Sequence, residues 1–324
     1  MSRMTYAEAS AAALAEEMRR DPTVWCLGED LGRGGVFGQY RGLVDEFGPD
    51  RIADTPISEA TIMGAAVGAA LVGTRPVVEM RFSDFALCAV DELVNQAAKA
   101  RFMFGGQARV PLVVREPIGM WRSSAAQHSQ SLEAWYVHVP GLIVVAPSTP
   151  DDNKGLLKSA IRADDPVVYM EHKDLWGATG EVSDDADYLL PLGKARLARP
   201  GTDVTVVSWS RIVAEAEAAA GEAAAKGISA EVIDLRTLWP WDRETVLASV
   251  AKTGRLLIAH EAVQVGGFGA EIAASVAEAL GPDLKAPIRR LGAPRAPISY
   301  AKPLEDALRV TPAAILGAIE QLAG

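Results

Sequence analysis

Along the chain, stretches with apolar residues every three or four positions alternate with short, nearly all-apolar runs. That alternation predicts helices laid over buried, parallel strands. In the first half, helical spacing covers residues 6–20, a run from Glu59 to about residue 73, a long segment from about 86 to 103, and a helix that begins at Thr149 with Pro150 in its first position. The runs 24–27, 76–79, 110–115, 142–146 and 167–170 read as strands, and their lack of polar alternation suits strands covered on both faces.

From 177 to about 201 the chain turns acidic and is punctuated by Gly and Pro without a sustained helical period, which suggests a linker. A second alternating series follows: strands at 203–209, 230–234, 255–259 and near Ile288, with helices at 212–226, 242–251, from Gly266 to 280, and at 312–322. The class is α/β, in two parallel-sheet domains: residues 1–180, a linker at 181–201, and residues 202–324.

Composition narrows the function. With 324 residues, 49% hydrophobic and 23% charged, the chain can bury two ordinary cores. A net charge of −10 without a Lys/Arg-rich run speaks against nucleic acid as a partner. Two cysteines, Cys26 and Cys88, are too few for a disulfide framework. The N-terminus lacks an apolar signal region and the most apolar helix is too short to span a bilayer, so no membrane association is expected and a cytoplasmic location is.

Chemistry is concentrated in few places. Asp54-Thr-Pro-Ile-Ser-Glu59 leads into a helix of small residues, setting one carboxylate at the mouth of an apolar element. A carboxyl group facing apolar walls is disfavoured as an anion and suited to proton exchange near neutral pH. A cap explains the same residues: Thr55 or Ser58 as N-cap, Pro56 in the first position, and an acidic side chain complementing the helix dipole. Gly64 and Gly68 flatten one side of that helix, for interior packing or for a subunit contact.

His128, within Ser123-Ser-Ala-Ala-Gln-His-Ser-Gln-Ser, lies in a polar loop between buried strands, where α/β proteins place reacting groups and also ordinary surface residues. His138, His172 and His260 suit packing or capping. The Gly-rich run 28–38 lacks phosphate-loop spacing and reads as a mobile loop. Gly266-Gly-Phe-Gly opens a helix that could hold an anion, although tight packing accounts for its glycines equally. Neither a His-Glu-x-x-His zinc motif nor a Gly-x-Ser-x-Gly elbow occurs.

Taken together, Gly28-Glu-Asp, Gly34-Gly-Val-Phe-Gly, the stretch from Phe47 through Glu59, Ala125-Ala-Gln-His-Ser-Gln, Pro191-Leu-Gly-Lys-Ala, Val232-Ile-Asp-Leu-Arg-Thr-Leu and Gly266-Gly-Phe-Gly-Ala-Glu-Ile resemble one family over essentially the full length. That family is the β subunit of the thiamine-diphosphate-dependent decarboxylating component of 2-oxo acid dehydrogenase complexes. The resemblance implies a transketolase-type pyrimidine-binding domain followed by a transketolase C-terminal domain. It implies that Glu59 hydrogen-bonds the cofactor's aminopyrimidine and promotes its proton-removing tautomer, that Ile57 and Phe85 pack around that ring, and that His128 serves near the substrate and the incoming lipoyl group.

The Gly-Asp-Gly motif that holds the diphosphate and magnesium is absent, which implies a separate α subunit, an α2β2 heterotetramer and no activity for this chain alone. A lipoyl-bearing acyltransferase is the implied acceptor. Positions matching a structural potassium site are Leu112, Ala160, Ile161, Ala163 and Asp165, with Ala163 replacing a residue that is commonly acidic. Pyruvate is the leading substrate, with acetoin and branched-chain 2-oxo acids as alternatives and half of a split transketolase as a remoter one. Trp121 and Arg122 depart from the usual Gly-rich run there and place bulk and a cation near His128.

Overall fold

The computed structural model describes residues 1–324, which divide into two compact units. Unit 1 holds Met1–Ile118 and Trp135–Leu192; unit 2 holds Gly119–Ala134 and Gly193–Gly324. The units are therefore not continuous in sequence, and residues 119–134, expected within the first domain, pack with the second.

In unit 1, β1 (Ser2–Thr5) leads into α1 (Tyr6–Arg20), whose start is a capping box: the Glu8 N–H donates to Thr5 Oγ1 at 3.1 Å and the Thr5 N–H to Glu8 Oε2 at 2.8 Å. Then come β2 (Val24–Gly28), α2 (Leu43–Phe47), β3 (Ile52–Asp54), α3 (Glu59–Leu71), β4 (Arg75–Glu79), α4 (Ser83–Ala86), α5 (Ala98–Met103) and β5 (Val113–Ile118). The short α6 (Glu133–Val137) carries the boundary between the units. Next are β6 (Ile143–Val145), α7 (Pro150–Arg162), β7 (Val167–His172) and β8 (Thr179–Val182).

Strands β6-β7-β5-β4-β2-β3 pair in that order, all parallel, while β8 pairs antiparallel with β1. Helices α1 and α7 cover one core, where Leu14, Met18, Leu156 and Leu157 meet Val24, Val77, Val113 and Val167. The expected long helix at 86–103 is broken into α4, a 3-10 turn, a π-helical run over Glu92–Ala97 and α5. The strand expected at 110–115 begins three residues later. Val110 and Leu112 are buried as their apolar character demands, but the Leu112 N–H is taken by Val110 O in a local turn.

Unit 2 contains β9 (Arg196–Arg199), β10 (Val204–Ser208), α8 (Ile212–Ala225), β11 (Ala230–Asp234), β12 (Thr237–Trp239), α9 (Arg243–Thr253), β13 (Leu256–Val263), α10 (Gly269–Leu280), β14 (Arg289–Ala293), α11 (Lys302–Leu308) and α12 (Pro312–Ala323). Its sheet runs β14-β13-β10-β11-β9 and is mixed, because the edge strand β9 pairs antiparallel with β11. The segment expected to be a linker thus contributes the end of β8 and an edge strand. Ala216, Ala219, Ala220 and Ala223 of α8 and Ile315, Ile319 and Leu322 of α12 close the core over Val204, Val206 and Val232.

Candidate functional site

Glu59 is the first residue of α3, and its surroundings are more open than the sequence suggested. Ser58 occupies the N-cap position, but its hydroxyl donates to Pro56 O at 3.1 Å instead of capping, and Pro56 lies outside the helix. The N-terminal N–H groups of α3 are left without a side-chain cap, and Glu59, half-buried, sits in the first turn where the helix dipole favours an anion. The Thr55 hydroxyl is buried without a hydrogen-bond partner, and the Ile57 side chain is 78% exposed. Phe85 is half-buried in edge contact with Phe82, ring centroids 5.3 Å apart. Burial raises the Glu29 carboxyl above its ordinary range, Arg81 opposes that, and the charge on Glu59 adds to it.

The flat side of α3 is not packed inside the chain. Thr61, Gly64, Ala65 and Gly68 are exposed, and a methyl group added at Gly68 would meet nothing within 4 Å. Leu71 and Phe104 line one open hollow beyond the helix end, with Val72, Phe102 and Met103 also exposed.

Within its sheet, unit 1 holds a buried set of charges that the sequence alone does not reveal. The guanidinium of Arg115 donates to both carboxylate oxygens of Glu171 at 2.8 Å and lies 3.7 Å from Glu79. Glu79 also accepts from Tyr40 at 2.9 Å and Gln39 at 3.1 Å, so the Gly-rich run 28–38, expected to be mobile, ends in residues tied to the sheet. Burial pushes the Glu79 carboxyl up to about 7 against the pull of Arg115. Glu116, fully buried, accepts from the Ser83 hydroxyl at 2.8 Å and is pushed up by burial to about 8. The only trace of these groups in the sequence is charge inside otherwise apolar strands.

His128 belongs to unit 2, on the loop 119–134, and is half-buried. Gly119 N–H donates to Gln130 O at 3.1 Å, Ser124 N–H to Trp121 O at 2.9 Å and His128 N–H to Ala125 O at 3.3 Å. Three residues with side chains, Arg122, Ser123 and Ala125, take positive φ of 45°, 60° and 68°. Arg122 lies over the Trp121 ring, 5.2 Å from its centroid, so the two unusual residues cover each other. The loop borders a cavity of about 500 Å3 in unit 2, walled by Met120, Ser129, Leu132, Glu261, Val263 and Ile298.

The other histidines have structural roles or surface positions. His172 accepts from the Asp174 N–H through Nδ1 at 3.1 Å, capping a short turn, and His138 is exposed. His260 is fully buried, stacked on Trp209 with centroids 5.0 Å apart, its Nδ1 3.1 Å from Ala262 O. Burial lowers it to about 4, so it is neutral. A methyl group added at Gly267, Gly269 or Gly292 would approach its ring to 2.8, 2.9 and 2.8 Å. Gly267 and Gly269 of the Gly266-Gly-Phe-Gly run therefore make room for an imidazole, whereas a methyl group at Gly266 would meet nothing within 4 Å.

At the positions matching a potassium site, a guanidinium already meets two of the carbonyls. Arg75 donates to Ile161 O at 3.1 Å and Ala163 O at 2.9 Å. Ala160 O accepts from Ala163 N–H, Leu112 O from Val167 N–H, and the Asp165 carboxylate is paired with Arg101.

Residues 2–178 match the transketolase pyrimidine-binding domain and residues 193–315 the transketolase C-terminal domain. The chain is 44% identical to 2-oxoisovalerate dehydrogenase subunit beta of Bacillus subtilis, over 100% of this chain and 99% of that protein. It is 46% identical to pyruvate dehydrogenase E1 component subunit beta-2 of Oryza sativa, over 93% and 81%, and 46% identical to the beta subunit of acetoin:2,6-dichlorophenolindophenol oxidoreductase of Cupriavidus necator, over 91% and 90%. The chain belongs to the 2-oxo acid dehydrogenase E1 β-subunit family. A split-gene transketolase solved as an inactive β4 tetramer superposes on this E1 β family member with a TM-score of 0.78 at 23% identity, covering 99% and 98% of the two chains, which supports the fold. Membership places the chain among oxidoreductases whose family cofactor is thiamine diphosphate. No helix in this E1 β family member is long and apolar enough to cross a membrane.

Proposed function

We propose that the chain is the β subunit of a heteromeric 2-oxo acid dehydrogenase, acting first on pyruvate and passing the acyl group to a lipoyl domain. The observation that carries this reading is Glu59 at the uncapped head of α3, next to the unpartnered Thr55 hydroxyl and the exposed Ile57. A half-buried carboxylate beside an apolar side chain fits a hydrogen-bonding heteroaromatic ring, and the aminopyrimidine is such a ring. When bound, thiamine diphosphate supplies the nucleophilic carbon and the electron sink for decarboxylation. Glu59 would hydrogen-bond that ring, and Ile57 and Phe85 would supply apolar contacts to it. His128 orients the acceptor or donates a proton during acyl transfer.

The diphosphate and its magnesium fall to an α subunit. No cluster of three or more His, Cys, Asp or Glu residues here could hold a metal ion, and the Gly-Asp-Gly motif is absent. Potassium is left out of the proposed set, because Arg75 already meets the Ile161 and Ala163 carbonyls. The exposed small-residue side of α3 is the proposed seat of the α subunit in an α2β2 assembly. A reducing, cytoplasmic setting suits the free thiols of Cys26 and Cys88.

Co-expression with a candidate α subunit tests the reading. Thiamine-diphosphate-dependent turnover should appear in the pair and in neither chain alone. Pyruvate, branched-chain 2-oxo acids and acetoin, run in one assay, decide the substrate, since relatives acting on all three match at 44–46% identity. Turnover of none of them sinks the proposal. Gly68→Leu should abolish association on a sizing column while leaving the chain folded, because nothing in the chain occupies that space.

A further inference from the structure

We propose that Glu261, Glu305 and Arg309 are positioning residues that hold the loop bearing His128 in a strained conformation and thereby set the acyl-transfer step. The proposal rests on the role given to His128 above. Arg122, Ser123 and Ala125 all lie in the left-handed backbone region, which residues with a Cβ adopt only when their surroundings enforce it. The enforcing contacts come from distant parts of unit 2 and grip the main chain. Glu261 Oε1 accepts the Met120 N–H at 2.6 Å, Arg309 donates to Met120 O at 2.9 Å, and Glu305 Oε2 accepts the Ser123 N–H at 2.6 Å.

The gripping groups are themselves fixed. Arg309 donates to Glu305 Oε1 at 2.7 Å, and Arg211 lies 3.5 Å from Glu261 Oε2. Glu261 and Glu305 are only 6% and 2% exposed, which strengthens their hydrogen bonds to the loop. Main-chain N–H groups bonded to buried carboxylates form short contacts that hold the backbone in one conformation. None of the three side chains belongs to the proposed cofactor set. Their place is behind the loop, and their effect on chemistry passes through His128.

The test uses the reconstituted complex with α subunit and cofactor. Two rates are compared in each variant: acylation of a lipoyl domain, and decarboxylation read with the dye oxidant 2,6-dichlorophenolindophenol. Hydrogen exchange of residues 119–134 is followed alongside. Glu305→Ala should lower acylation about tenfold more than the dye-coupled rate and raise exchange in the loop by a similar factor, as loss of a charge-assisted bond implies. Glu305→Gln, which keeps an oxygen for the Ser123 N–H, should restore most of the acylation.

Equal losses in both rates, or unchanged exchange in the loop, overturn the proposal. If Glu305→Ala does not assemble, Glu261→Ala gives the same comparison at the Met120 end. His128→Ala with undiminished acylation would defeat the role given to His128 alone. The exchange measurement needs no turnover and still decides whether the loop is held.

Discussion

Unit 1 places Arg115, Glu79 and Glu171 in the middle of its sheet as a set paired through Arg115, whereas unit 2, besides ion pairs of buried carboxylates such as Asp234 with Arg196, places at similar depth an imidazole, His260, kept uncharged against Trp209. Both solutions avoid an isolated buried charge, which is costly in a low-dielectric interior. They differ in what they ask of their neighbours. The paired set depends on every member, while the neutral imidazole depends on space. The same contrast runs through the two proposed functional groups. Glu59 stands at an open helix end with little support, and His128 sits on a loop gripped from behind.

The strongest break in that comparison is Glu59→Gln. It should lower turnover of the reconstituted enzyme by about 10^2–10^4, the usual contribution of acid–base catalysis, with the thermal midpoint unmoved because Glu59 supports no core contact. Arg115→Met should do the reverse within unit 1, costing about 3–5 kcal/mol in urea denaturation, since Glu79 and Glu171 would be left without their cation. A loss under 1 kcal/mol would mean that the paired set is not what holds unit 1 together.

Acidity separates the units by sign. Glu116 keeps its proton up to about 8 in the folded chain but releases it near its ordinary 4.5 when unfolded. Between those values the unfolded state binds fewer protons, so this group makes stability fall as pH rises. His260 is the opposite case: at about 4 when folded and 6.5 when unfolded, it makes stability fall as pH drops from 6.5 towards 4. Each slope is at most about 1.4 kcal/mol per pH unit. Urea midpoints across pH 4–8 should show a shallower downward slope in Glu116→Gln, with Glu79, raised to about 7, supplying the remainder, and should lose the upward slope in His260→Asn. Identical profiles in both variants would erase the distinction.

The smallest expected effect concerns support for Glu59. Ser58→Asp would supply the missing cap on α3 and add about 0.5–1 kcal/mol of stability. No gain would show that the helix end is already satisfied.

Much of the fold was legible because its causes are local. The Thr5 capping box and the Thr149–Pro150 start fix two helices whose signals lie within four residues. Apolar runs located most strands, but Val110 and Leu112 show that such runs report burial before they report pairing. Glu59 could be found because a lone carboxylate before a small-residue helix stands out. The grip on the His128 loop could not, since Glu261, Glu305 and Arg309 lie 141, 182 and 189 positions from the atoms they hold. The antiparallel placement of β9 was hidden for the same reason, its partner β11 being set by pairing and not by local pattern.

The space around His260 has a genetic consequence. At Gly269, the nearest atoms an added methyl group would meet are side-chain ones, the imidazole at 2.9 Å and Ile258 at 3.1 Å. At Gly267 and Gly292 it would also strike main-chain oxygens, at 2.7 and 2.9 Å. Damage from Gly269→Ala should therefore be suppressible by a second-site change that shortens His260, whereas Gly267→Ala and Gly292→Ala should have no such suppressor. One histidine thus divides three neighbouring glycines into a replaceable one and two that are not.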